Sequence, residues 1–326
     1  MTTRTSISTT IRTSLLAACI GAALVPAVAD AAAITTLATE HAPTRVAAWE
    51  NTVMWSRLDT ATNRYALMKS VGGAAPIAVG VPQRSTAPFD IDLGTDSAGS
   101  TVAVYTRNGD IHRLDVATGA ETKIAKLSSP KLERNPTIQR GRIAFIRRSG
   151  GADELRIGSA SKGTRLLVRR SSIRYAELGD SHVAYVAGKP SGAGGETQLR
   201  IRNLATEADK PVYRARSGGA NAANITRPSY IAAPAGFVFA RTNMGSQAGN
   251  RLVRYTLRGS KLAYDRGSAS YISTAWAGAQ LGAVTTSVIG GSESIDSTSP
   301  GACVDDTGRN YCTVELSEPL TFGLQP

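Results

Sequence analysis

Sulfur and imidazole are scarce in this chain, which has three cysteines and three histidines in 326 residues. His41, His112 and His182 lie far apart, and none has a cysteine or second histidine at metal-ligand spacing. That argues against a metal centre, and no cofactor is expected. No Gly-x-Ser-x-Gly elbow, P-loop or His-Glu-x-x-His pair occurs. Ser159-Ala-Ser-Lys162 matches Ser-x-x-Lys but falls in a turn-like stretch, where such a match arises by chance. Catalytic constellations are therefore thin. Long apolar runs are also missing. The run Leu15–Val28 stops at 14 residues, short of the roughly 20 a spanning helix needs. Acidic residues lag behind basic ones, 25 against 37, for a formal charge of +12.

The apolar run follows a polar, Ser/Thr-rich start that carries Arg4 and Arg12. It ends at two small-x-small sites, Ala27-Val-Ala29 and Ala29-Asp-Ala31. This three-part layout predicts a signal peptide over residues 1–31, a single domain over 32–326 and a secreted, extracytoplasmic location, with no transmembrane segment after cleavage. Cys19 would leave with the leader. Cys303 and Cys312 would remain as an even pair flanking a turn-forming segment, which predicts a disulfide. A strongly basic exported chain suits an anionic partner. Export, and the lack of any reader motif, speak against nucleic acid.

One five-residue phrase recurs. It reads Val53-Met-Trp55-Ser-Arg57, Ala103-Val-Tyr105-Thr-Arg107, Ile143-Ala-Phe145-Ile-Arg147, Val183-Ala-Tyr185-Val-Ala187 and Phe237-Val-Phe239-Ala-Arg241, with a faded copy at Leu281-Gly-Ala283-Val-Thr285. The third positions are 50, 40, 40, 54 and 44 residues apart, the period of a β-propeller blade. Around the third phrase, short apolar runs and Gly-bearing turns mark four strands, with little helical periodicity. The expected fold is an all-β, six-bladed propeller of four-stranded antiparallel blades, at about residues 42–83, 86–127, 130–170, 171–215, 222–266 and 268–322. A seven-bladed ring is the alternative, should 286–322 form a blade alone. The aromatic third positions read as packing between blade faces. Ile34–Ala38 has strand character and is placed to pair with the last blade.

With these repeats, the stretch from Thr44 to Phe322 resembles the TolB-type, six-bladed propellers of WD40-like repeats found in bacterial envelopes. The resemblance implies an exported bacterial protein.

Arg45, Arg134, Arg174 and Arg227 precede their blades' third-position residues by similar distances, at the start of the innermost strand. Antiparallel alternation brings Arg57, Arg107, Arg147 and Arg241, at the ends of second strands, to the same face. The first four form a candidate ligand-binding channel mouth, and the second four a same-face basic set. Arginine suits the role because its planar fork donates paired bonds to phosphate or carboxylate. Alternatively, each pairs with a local acid such as Asp59, Asp90, Asp92, Asp110, Asp153 or Glu154. The expected function is an exported, non-catalytic binding module for an anionic cell-wall polymer, an acidic glycan or a protein partner. The rival is a propeller hydrolase or lyase acting on an anionic polysaccharide or related small molecule.

Overall fold

The computed structural model describes residues 34–42, 44–84, 87–188, 196–216, 223–225, 227–231, 235–243, 251–257, 261–265, 269–277, 280–287 and 312–317. For several C-terminal strands only the backbone is described. The chain is an all-β propeller of four-stranded antiparallel blades. The first blade runs from Val46–Trp49 through Thr52–Asp59 and Arg64–Val71 to Ile77–Ala78. The second contains Asp92–Thr95, Thr101–Arg107, Asp110–Asp115 and Glu121–Lys123. The third contains Glu133–Gln139, Arg142–Ser149, Ala152–Ser159 and Thr164–Arg170. The fourth contains Ile173–Leu178, His182–Ala187, Glu196–Asn203 and Asp209–Arg216.

The closing blade joins both ends of the described chain. Ala269–Ala277, Gln280–Ser287 and Cys312–Ser317 are completed on the outside by Ile34–Glu40. That first strand pairs antiparallel with the last, from Ile34 opposite Ser317 to Glu40 opposite Cys312.

The count of four-stranded blades is five, not the expected six or the alternative seven. Residues 223–265 form a five-stranded sheet instead, because the strand inside Gly236–Asn243 is split into Ala223–Ile225 and Ser229–Ile231, both paired to it. A separate blade after residue 286 is ruled out among the described residues. Cys312–Ser317 there pairs with Gln280–Ser287 in the closing blade.

Every copy of the phrase lies on the second strand of its sheet. Its alternation explains the ring. Successive side chains of a strand point to opposite faces, and here both faces are covered. In the first blade Val53 and Trp55 pack toward Leu37 and Ala275 of the closing blade, while Met54 packs with Phe89, Ala103 and Tyr105 of the next. Val102 and Val104 then meet Ile143 and Phe145 of the third blade. Ala144 and Ile146 meet Val183 and Tyr185 of the fourth, and Ala184 and Val186 meet Phe237. Trp55, Tyr105, Phe145 and Tyr185 are fully buried, as packing residues must be. The side chain of Phe239 lies outside the described residues.

Each polar aromatic also finds an acceptor for its buried tip. Trp55 Nε1 donates to Glu40 Oε1 at 2.6 Å, Tyr105 to Glu121, and Tyr185 to Asp209 at 2.7 Å. Glu40 comes from the strand that closes the ring, so this bond ties the first blade to the closing one.

Candidate binding site at the channel mouth

The innermost strands alternate polar residues with apolar ones: Asp90-x-Asp92, Asn135-x-Thr137 and Tyr175-x-Glu177. A strand lining a polar channel shows this period of two. The segments just before and within these strands converge. Asn135 links its own blade to three others. Its amide N donates to Asp90 Oδ2 at 2.8 Å, its Nδ2 to the Arg174 carbonyl at 2.8 Å, and its Oδ1 accepts from Arg45. Its φ of 48° lies in the left-handed region, which asparagine tolerates better than most residues. The strand register shifts between Arg134 and Thr137, where Pro136 offers no N–H to the ladder.

Arg45 and Arg174 flank the half-buried Tyr175, with guanidinium carbons 5.3 and 5.4 Å from the ring centroid. Both arginines are partly exposed. Burial lowers the pKa of Arg45, and Tyr175 and Asp90 oppose it. The arrangement presents two forked cations, held by one aromatic ring, where the innermost strands begin.

Arg227 lies deeper. Its NH1 donates to the Ile91 carbonyl at 2.7 Å and its NH2 to the Pro136 carbonyl at 3.2 Å. The same NH2 is 3.2 Å from Asp92 Oδ1 and 3.3 Å from Glu177 Oε2. Burial alone would lower its pKa, but Asp92, Glu177 and Asp90 outweigh that and raise it. Burial raises Asp92, against the pull of Arg227. Burial and then Asp92 push Glu177 up to about 8. This cluster forms a floor, about two residues or roughly 7 Å along the strands from Arg174 and Tyr175.

The eight sequence-selected arginines therefore separate. Arg45 and Arg174 share the Tyr175 ring, and Arg227 is buried with Asp92 and Glu177. Arg134 turns outward to Asp153, with NH2 to Oδ2 at 2.7 Å. Arg57 pairs with Glu40 at 3.1 Å, Arg107 with Glu121 at 2.9 Å and Arg147 with Glu133 at 2.7 Å. For Arg241 only the backbone is described, within Gly236–Asn243. Cys303 and the side chain of Cys312 lie outside the described residues, as does the leader cleavage site.

Three carboxylates lie on or just before the innermost strands, Asp90, Asp92 and Glu177, and their oxygens are occupied. Asp90 accepts from Thr106 N at 2.8 Å and Thr106 Oγ1 at 2.6 Å, and it pairs with Arg84 at 3.4 Å. Asp92 accepts from Ile138 N at 2.8 Å, and Glu177 from Tyr230 N at 3.2 Å. Among the described residues no group of three or more His, Cys, Asp or Glu side chains is placed to hold a metal ion. His112 stacks on Tyr105 and His182 bonds Ser181. A groove of about 660 Å³ between Asn108 and Leu132 lies farther out, with Lys123 held by Asp110 at 2.7 Å and Lys131 by Ser149 at 2.7 Å. Among the described residues no helix is long and apolar enough to cross a membrane.

No protein-family model matches the sequence, and no curated protein matches it significantly. Among solved structures the chain is similar to an oligogalacturonate lyase from Vibrio parahaemolyticus, with TM-score 0.52 and 8% identity, over 87% of this chain and 93% of that one. It is also similar to an oligogalacturonate lyase in complex with manganese, with TM-score 0.51 and 9% identity, over 87% and 90% of the two chains. TolB from Acinetobacter baumannii aligns with TM-score 0.48 and 14% identity, over 70% of this chain and 56% of that one. At these identities the likeness to the two lyases is one of fold.

Proposed function

We propose that this protein is an exported binding module that takes an anionic group at the mouth of its central channel and does not turn it over. The observation that carries this reading is the Arg45–Tyr175–Arg174 cluster. Two partly exposed arginines place their guanidinium carbons 5.3 and 5.4 Å from one ring centroid there. Such forks match a carboxylate or phosphate, and clustering them over a concave mouth concentrates the field. The ligand class is an anionic cell-wall polymer, an acidic glycan or an acidic segment of a protein partner. The extracytoplasmic location rests on the leader-like residues 1–31, and a Cys303–Cys312 disulfide belongs to the same reading.

The enzyme reading draws on the same channel, where a buried carboxyl with a raised pKa could serve as an acid. The hydrogen bonds that occupy Asp90, Asp92 and Glu177 favour a structural role for them instead. Oligogalacturonate, named as the substrate of two proteins of like fold, serves as a polyanionic probe for both readings. Arg174→Gln is expected to weaken its binding about tenfold or more while shifting Tm little, since substitutions at partly exposed sites cost about 0.5 kcal/mol or less. Unsaturated product accumulating in the same mixture would establish the enzyme instead.

A further inference from the structure

Two carboxylates meet one cation at the channel floor. Asp92 belongs to the second blade, Glu177 to the fourth, and Arg227 precedes the inner strand Ser229–Ile231 of the five-stranded sheet. Asp92, Glu177 and Arg227 are each 7% exposed. The third blade contributes the Pro136 carbonyl to Arg227 at 3.2 Å and the Ile138 N–H to Asp92 at 2.8 Å. Thr137 of that blade donates its hydroxyl to Glu177 Oε2 at 3.4 Å, and Tyr230 N donates to Oε1 at 3.2 Å. Among the described residues, the layer above holds Asp90, which pairs with Arg84 at 3.4 Å and also acts on Arg227, and Arg45, bonded to Asn135. At the floor itself one guanidinium nitrogen serves two buried carboxylates, an arrangement that favours retention of a proton.

We infer that Asp92, Glu177 and Arg227 form a proton-dependent lock joining four sheets. With one proton held, the carboxyl pair and the guanidinium attract. With it released, two anions repel across a single cation and the joint weakens.

The raised pKa of Glu177, about 8, places the release in mildly alkaline solution. The folded chain then binds more protons than the unfolded one between the ordinary carboxyl value of 4.5 and about 8. The stability contributed by this group must fall as pH rises through that window. The histidines act elsewhere and in the opposite sense. Burial lowers both His112 and His182 below 6.5, so their contribution is lost as pH falls. Asp59, Asp96, Asp115 and Asp153 are held below 3.8 and contribute stability that is lost only in acid. Above pH 7 the lock is thus separated from these groups.

The test is urea denaturation of the full chain between about pH 7 and pH 9. The folding constant of the wild-type protein should fall by up to about tenfold per pH unit until the proton is lost. Glu177→Gln, which mimics the protonated side chain, should lose that slope. A wild-type profile flat over the window, or an equal slope in the variant, overturns the lock. Infrared difference spectra of the wild-type protein give a second reading should the variant fail to fold. A carboxylic-acid carbonyl band present at pH 7 and gone by about pH 9 supports the lock, and its absence at pH 7 refutes it.

Discussion

At Arg227 a single guanidinium reaches backbone carbonyls of two blades and carboxylates of two, all out of water. Removing one partner of a buried ion cluster is costly because the others stay buried without compensation. Arg227→Met is therefore expected to destabilise the chain by about 3–5 kcal/mol in urea denaturation; a loss below about 1 kcal/mol would mean water already reaches Asp92 and Glu177. This contrasts with Arg174→Gln, which should act on binding. By sequence both arginines hold the same place in their blades, and spacing alone does not tell these roles apart. Arg227 meets Glu177 across 50 residues of chain, and Arg45 meets Asn135 across 90. Glu177, Asn135 and Tyr175 are hidden for the same reason, although the inner strands carry a period-two polar pattern. Of the acids within reach by sequence, Asp92 and Asp153 pair with Arg227 and Arg134, while Asp90 pairs with Arg84, outside the selected eight.

At the level of strands, much more was legible. The phrase alternates residues that are buried on both faces, so its spacing marked the second strand of each sheet and its third position marked the inter-blade packing. The pairing of Ile34–Glu40 with the last strand was likewise foreshadowed by an apolar segment ahead of the first repeat. The number of four-stranded blades differs from the expectation because Ala223–Ile225 and Ser229–Ile231 share one partner strand, a split that composition does not reveal. Close approach between strands yields a prediction of its own. A Cβ at Gly94 would lie 2.3 Å from the Ile138 carbonyl oxygen of the third blade. Gly94→Ala must push the two blades apart and should cost about 1–3 kcal/mol. At Gly80, where a Cβ meets nothing within 4 Å, the same substitution is expected to be neutral or slightly stabilising in thermal denaturation. Equal effects at the two sites would contradict the close packing of the second and third blades.

Across the whole molecule, basic residues exceed acidic ones, 37 to 25, yet the described arginines at the second-strand ends are already paired, to Glu40, Glu121 and Glu133. The surplus matters most where two guanidiniums gather on one ring, as around Tyr175. Binding there should depend on charge and weaken as salt shortens the screening length, from about 30 Å at 0.01 M to about 8 Å at 0.15 M. A neutral glycan of equal length should not compete. The most direct measurement is calorimetric titration of the full chain with oligogalacturonate at about 0.01 M and about 0.15 M salt. Binding that weakens by tenfold or more at the higher salt, and that Arg174→Gln removes, is the predicted result. Binding indifferent to salt, or undiminished in the variant, would contradict an anion site at the channel mouth.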